Sequence, residues 1–267
     1  MKLLPQSPTL SLSFRRVCLA APFLKNVGLA NFVVRQDTPN LRFISKPPAS
    51  NPQHPTPSIQ LAMIQRIMTA EEFADQKYDL PDGGRWSELI AGEPVILEQP
   101  SDDHGNVIRN LSRFLAQWIE EKQVGYACFE IGIIVQRAPD TVISPAVSYF
   151  VGGNRWEETD KIVTETKPAL VIDVASTVDR RRSMPKRISH YRNAGIPVSI
   201  VIDPMEQKIA VHTGNDQVDV LDRDESLTAK SGWIDNPSDG PLLDGLSIPV
   251  RDIFEQPNWW QWQVVPE

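Results

Sequence analysis

The sequence predicts an α/β fold in which helices cover a central mixed sheet with hairpins at its flanks. Three observations predict it. The middle of the chain alternates helical apolar spacing with short β-branched runs, in the order helix, strand, strand, strand, helix, strand. One of those runs, "ALVIDVA" at 169–175, is almost wholly apolar, as a strand covered on both faces must be. Further pairs of runs are separated by tight glycine turns, which read as hairpins at the sheet edges.

Each element has a local reason. Thr69 followed three residues later by Glu72 is a capping box, so a short helix starts in "MTAEEFADQ". "DLPDGGR" is turn material, and "RWSELIAGEPVILEQ" is two strands joined at Ala91-Gly92. "SDDHGN" breaks the pattern again. From Asn106 to Lys122, Ile108, Leu111, Leu115, Trp118 and Ile119 fall at helical spacing and define one buried face. "CFEIGIIVQR", "AVSYFV" and "ALVIDVA" follow as three strands. A helix is expected from about Ser183 to Ala194, stopped by Gly195 and Pro197. "VSIVID" is a further central strand, and "KIAVHT" with "QVDVL" forms a hairpin around Gly214-Asn215.

Composition limits the function classes. A net charge of −7 over 267 residues disfavours a wholly basic surface, although a local basic cleft stays compatible with it. Cys18 and Cys128 are the two cysteines; they provide neither a disulfide framework nor zinc spacing, and they fit a reducing, cytoplasmic setting. No apolar run reaches the roughly 20 residues that span a bilayer, so no membrane contact is expected. There is no P-loop, dinucleotide fingerprint or nucleophile elbow. The first sixty residues differ from the rest: nine are proline, and no acid precedes Asp37. A transit peptide, a disordered proline-rich tail, and an upstream start that adds non-native residues before Met63 or Met68 all fit this pattern. Residues 1–62 are therefore expected to be a disordered or non-native extension.

A few residues could carry chemistry. Asp173 sits inside an apolar strand, where a carboxylate is costly unless it is paired, bound to a cation or facing a solvated groove. Glu88 in "WSELIAGE" is either a site acid or an exposed edge residue. Lys186 could polarise an attacking water near a carboxylate pair, or be an ordinary solvated helix lysine. Arg180, Arg181 and Arg182 read as a phosphate-contacting loop or as a solvated one. His104 could help bind phosphate or metal, or simply open a helix.

Taken together, "MTAEEF", "GRWSELIAGEPVIL", "SDDHGNVIRNLSRFL", "ALVIDVAS", "KRISHYRNAGIPVSIVIDP" and "PLLDGLSIPVRDIF" resemble the Uma2 family over residues 68–254. The resemblance implies a restriction-endonuclease-like fold with an α-β-β-β-α-β core, of the PD-(D/E)xK nuclease type. It also implies hydrolysis of DNA phosphodiester bonds with Mg²⁺ or Mn²⁺. Pro145 matches the family's proline, Asp173 its strand glutamate, Lys186 its helix lysine and Glu88 the acid of its "ELI-x-GE" segment. Glu88, Asp173 and Lys186 are then the expected catalytic set, with Glu88 and Asp173 on the metal and Arg180, Arg181, Arg182 and His104 on nucleic acid. Ala146 stands where the family's metal-binding aspartate belongs, so the resemblance implies either an impaired endonuclease or an inactive nucleic-acid- or protein-binding module. Asp140 is the nearest acid that could substitute, and failing metal, Lys186 is expected to pair with Asp173.

Residues 255–267 form a tail with Trp259, Trp260 and Trp262, read either as a homo-oligomer contact or as a segment folded back on the domain. Limited proteolysis followed by mass spectrometry is expected to leave a stable fragment that begins between Met63 and Met68. A resistant fragment retaining Met1 would contradict the expectation for the first 62 residues.

Overall fold

Capping and alternation shape the N-terminal part of the fold. The computed structural model describes residues 67–152, 157–214, 216–229, 233 and 242–258; the expected extension over 1–62 and the indoles of Trp259, Trp260 and Trp262 lie outside them. Helix α1 (Ala70–Gln76) begins with the capping box read from the sequence: Glu72 N–H donates to Thr69 Oγ1, and Thr69 N–H donates to the Glu72 carboxylate. Strands β1 (Ser87–Ile90) and β2 (Glu93–Ile96) form the expected hairpin, with Ala91 and Gly92 both at positive φ. Helix α2 (Asp102–Lys122) starts about a turn earlier than its apolar spacing indicated, with Asp102 and Asp103 in its first turn, where acids are favoured.

The run "CFEIGIIVQR" is two strands, not one. β3 (Tyr126–Phe129) ends at Glu130, whose φ of 56° turns the chain, and β4 (Gly132–Gln136) leaves in another direction. β5 (Thr141–Ile143) was not expected. β6 (Val147–Phe150), β7 (Val163–Thr164) and β8 (Leu170–Val174) follow. Helix α3 (Val178–Asn193) begins well before Ser183, because the Thr177 hydroxyl accepts from Arg180 N–H and caps it; the helix then continues through Pro185. β9 (Val198–Asp203), β10 (Lys208–Thr213), β11 (Val218–Leu221), β12 (Ser226–Thr228), β13 (Ser247–Pro249) and α4 (Val250–Phe254) complete the described elements.

Two sheets result. Five strands run in the order β2-β1-β5-β4-β7, six run in the order β11-β10-β9-β8-β6-β3, and β12 pairs with β13. In the larger sheet β8 and β9 are parallel and the remaining pairs antiparallel. The expected order is therefore met by α2, β3, β6, β8, α3 and β9, with β4 and β5 diverted to the smaller sheet. The chain crosses from one sheet to the other at Ser144, Pro145 and Ala146, between β5 and β6.

Strand β8 shows how the core sets the site. Leu170, Ile172 and Val174 join an apolar cluster with Val107, Leu111, Leu115 and Ile119 of α2. Val171 points the other way, into a cluster with Ile133, Val135, Ile143, Tyr191 and Ile196. Strand alternation turns Asp173 to that second side, between the two sheets and α3. Among the described residues no helix is long and apolar enough to cross a membrane.

The end of α2 is joined to β3 through Gly125, at φ 65°, where an added Cβ would lie 2.4 Å from Tyr149 Oη and 2.5 Å from Phe150 O. Tyr149 is buried and donates to Val124 O at 2.8 Å. Gly125→Ala is expected to destabilise the protein by about 2–4 kcal/mol, as strain at positive φ adds to overpacking. Urea denaturation measures this, and a loss below 1 kcal/mol (about the low end of overpacking costs) would contradict it.

Candidate functional site

Helix α3 presents Arg180, Met184, Arg187 and Tyr191 as its buried face, a 4-3-4 spacing that follows one side of a helix. Two turns of that face bring Arg187 and Tyr191 against the inward side of β8, where Asp173 is only 2 % exposed. Glu88, also 2 % exposed, reaches the same point from β1 in the other sheet. The three charges meet at the crossover between the sheets.

The Arg187 guanidinium uses all of its donors there. Nε and Nη2 grip Asp173 Oδ2 and Oδ1 at 3.0 and 2.9 Å, and Nη1 donates to Glu88 Oε1 and Oε2 at 2.7 and 2.8 Å. Nη2 also reaches Ser144 O and Tyr191 Oη, both at 3.2 Å. Tyr191 Oη donates to Asp173 Oδ2 at 2.7 Å, and Ser144 N–H donates to Glu88 Oε1 at 2.8 Å. Burial alone would weaken the arginine's hold on its proton, but the adjacent Asp173 and Glu88 charges keep it well above the usual arginine range. Burial, followed by the Asp173 charge, raises the Tyr191 phenol well above its ordinary value once the opposing pull of Arg187 is overcome.

Other expected residues are placed differently. Lys186 is exposed on α3, one position round the helix from the buried face, and the pairing with Asp173 expected of it is made by Arg187. Arg180, Arg181 and Arg182 lie in the first turns of α3, not in a preceding loop. Arg181 pairs with Asp203 at 2.6 Å, and exposed Arg182 with Asp179 at 3.3 Å. Arg180 is buried, over the Trp86 ring at 5.5 Å. His104 is buried edge-on to Trp86, with ring centroids 6.0 Å apart, and its Nδ1 is 3.5 Å from Ser176 Oγ. Burial, and next the Arg180 charge, lower the His104 pKa to about 4. Lys77 is buried nearby, and burial lowers its pKa against the charges of Glu88 and Glu130.

Ala146 is buried at the crossover and belongs to the apolar cluster that holds Val107, Ile172 and Val174. It supplies a methyl group and no oxygen. Asp140 is committed elsewhere: Oδ2 accepts from Ala70 N–H and Arg137 Nη1, each at 2.8 Å, and Oδ1 from Ala138 N–H at 3.2 Å. It anchors the start of α1.

Residues 70–233 match the family model Uma2, described as "Putative restriction endonuclease". The chain belongs to this family. Among solved structures it is similar to one described as "a putative nuclease belonging to DUF820 from Anabaena variabilis ATCC 29413", at 20% identity and a TM-score of 0.51, covering 68% of this chain and 96% of that one. The likeness carries the fold, so the α-β-β-β-α-β core is the restriction-endonuclease-like one. No curated protein matches the chain.

Restriction-endonuclease-like proteins generally work with divalent metals, and the Uma2 site can be tested for fit. Such a cation needs several oxygen ligands with free lone pairs. Here all four carboxylate oxygens of Glu88 and Asp173 accept from Arg187, and Ala146 offers none. Among the described residues no three His, Cys, Asp or Glu side chains stand together as a metal-binding group. With Arg187 seated, these residues do not fit the ion.

Arg187 and Tyr191 were missed by reading the sequence. The signal was the helix phase: Tyr191 and Met184 are the apolar members of the face, and that face passes through 187, not 186.

Arg187→Ala is expected to cost about 3–5 kcal/mol, because it leaves two buried carboxylates without their counter-charge. The triple change Glu88→Met, Asp173→Leu, Arg187→Met should recover most of that loss, since an apolar replacement of a buried ion cluster is often neutral. Chemical denaturation of the three proteins decides; equal stability of Arg187→Ala and the parent would contradict the arrangement.

Proposed function

We propose that this Uma2 protein is a nuclease-fold member whose cleavage centre is closed, an impaired endonuclease that binds without efficient hydrolysis. The observation that carries the reading is Arg187, seated between Glu88 and Asp173 and donating to every oxygen of both carboxylates. Its companion is Ala146, at the position that the family resemblance assigns to a metal-binding aspartate. A Mg²⁺ or Mn²⁺ ion would have to displace a guanidinium held by two buried acids and then bind with one carboxylate fewer. Both changes weaken the ion, because affinity at such sites follows ligand charge and number. Without the ion, the developing charge on phosphorus has no Lewis acid to meet it. DNA is the substrate class that the family implies, and a binding role toward nucleic acid retains the fold while dispensing with the metal.

The test is a pair of calorimetric titrations with Mn²⁺, beside cleavage of plasmid DNA. The natural chain is expected to bind the ion weakly and to leave the plasmid intact. The double variant Ala146→Asp, Arg187→Lys is expected to bind it about tenfold tighter or better, as one carboxylate is added and the five-donor clamp is removed. Metal-dependent cleavage by the natural chain, abolished by Asp173→Asn, would overturn the reading.

A further inference from the structure

We infer that the converging N-termini of α2 and α3 form a phosphate-accepting site in which Arg180 and His104 hold the phosphate oxygens beside Trp86. The inference goes beyond the closed centre and does not depend on whether that centre cleaves.

Arg180 is the leftover cation of its run. Arg181 and Arg182 each have an acid, and Arg187 has two. Arg180 is 7 % exposed, its Nε is buried without a hydrogen-bond partner, and its guanidinium makes no ion pair among the described residues. A buried guanidinium is costly unless its donors are satisfied. His104, 4 % exposed, repeats the pattern, since its Nε2 is also buried without a partner. If the Ser176 hydroxyl donates to Nδ1, Nε2 carries the proton and becomes a second unsatisfied donor. Both side chains lie against the Trp86 ring, and the Arg180 charge acts on His104.

The surroundings favour an anion. His104 lies in the first turn of α2, a helix of 21 residues, and Arg180 in the first turn of α3, a helix of 16. The positive ends of two helix dipoles therefore adjoin the site. The charges that act on Arg180 and His104 are Arg187 and Arg85 against Glu88, Asp173 and Glu130, and Asp103 and Asp179 stand in the first turns of the two helices. Arg85 stands over the same Trp86 ring at 4.7 Å and leans toward Glu130 at 3.7 Å. A phosphate supplies the acceptor oxygens and the negative charge that Arg180 and His104 lack, with the geometry arginine suits best.

The experiment is titration of the full chain with inorganic phosphate in the presence of a chelator, so that its outcome is separate from that of the metal test. Binding by calorimetry is expected to weaken about tenfold or more in Arg180→Gln, as a charged hydrogen-bonding partner is lost, and to be unchanged in Arg182→Gln. A second readout needs no variant. The His104 imidazole, followed by NMR against Arg180, Arg85, Asp173 and Asp103 around it, should titrate near pH 4 without phosphate and about one pH unit higher with it. Competition distinguishes the source of the phosphate: displacement by a DNA duplex assigns the site to a nucleic-acid backbone, and failure of the duplex to compete assigns it to a small phosphate-bearing molecule. Absence of phosphate binding, or equal binding by Arg180→Gln and an unmoved His104 titration, would overturn the inference.

Discussion

The Arg187 guanidinium is the interaction on which the rest of the central structure depends. It binds one acid from each sheet, the carbonyl at the crossover between them, and a tyrosine one turn along its own helix. Removing it would unpair two carboxylates that are only 2 % exposed, on opposite sides of the same gap. A lysine could not replace it in kind. An ammonium has three donors on one point, whereas the planar fork of arginine has five and can grip two carboxylates edge-on at once. The geometry is therefore specific to arginine, and it fixes how β1, β8 and α3 meet.

The state of the centre follows from charge and donors together. Two buried carboxylates and one guanidinium leave a single negative charge, which Arg180 and Lys77 offset from nearby without hydrogen-bonding to it. A third carboxylate at position 146 would upset that balance and call for a divalent ion. With alanine there, an internal cation suffices. The methyl group of Ala146 also joins the cluster under α2, which is apolar and has no use for an ion. In the reading proposed above, an acid at 146 and the seated arginine are alternative ways to balance the same charges.

Much of this was legible in the sequence. The capping box at Thr69, the β1–β2 turn at Ala91-Gly92 and the apolar β8 strand depend on neighbours in the chain, and local chemistry identifies them. Glu88 and Asp173 also stood out, because an acid inside an apolar strand has few structural explanations. Of what was not read, one feature depended on the backbone of the folded chain and the other on a local cap that was passed over. The break at Glu130 rests on a positive φ in an otherwise uninterrupted strand pattern, and the start of α3 rests on a Thr177 cap well upstream of Pro185. Lys186 was expected because the family resemblance matches a lysine there, whereas the 100° step per residue puts the buried face that holds Met184 and Tyr191 through Arg187.

Once the phase is known, α3 explains its own division of labour. Arg180 and Arg187 lie on one face, seven residues or about 10 Å apart along the axis. Arg187 sits deep enough to reach both acids. Arg180, two turns nearer the helix N-terminus, is too far along to share them and is covered instead by the Trp86 ring. One face of one helix therefore carries a guanidinium saturated by the protein's own carboxylates, and another whose donors are open beside two helix N-termini. The first is held by two acids, and the second has a buried Nε for which the described residues provide no acceptor.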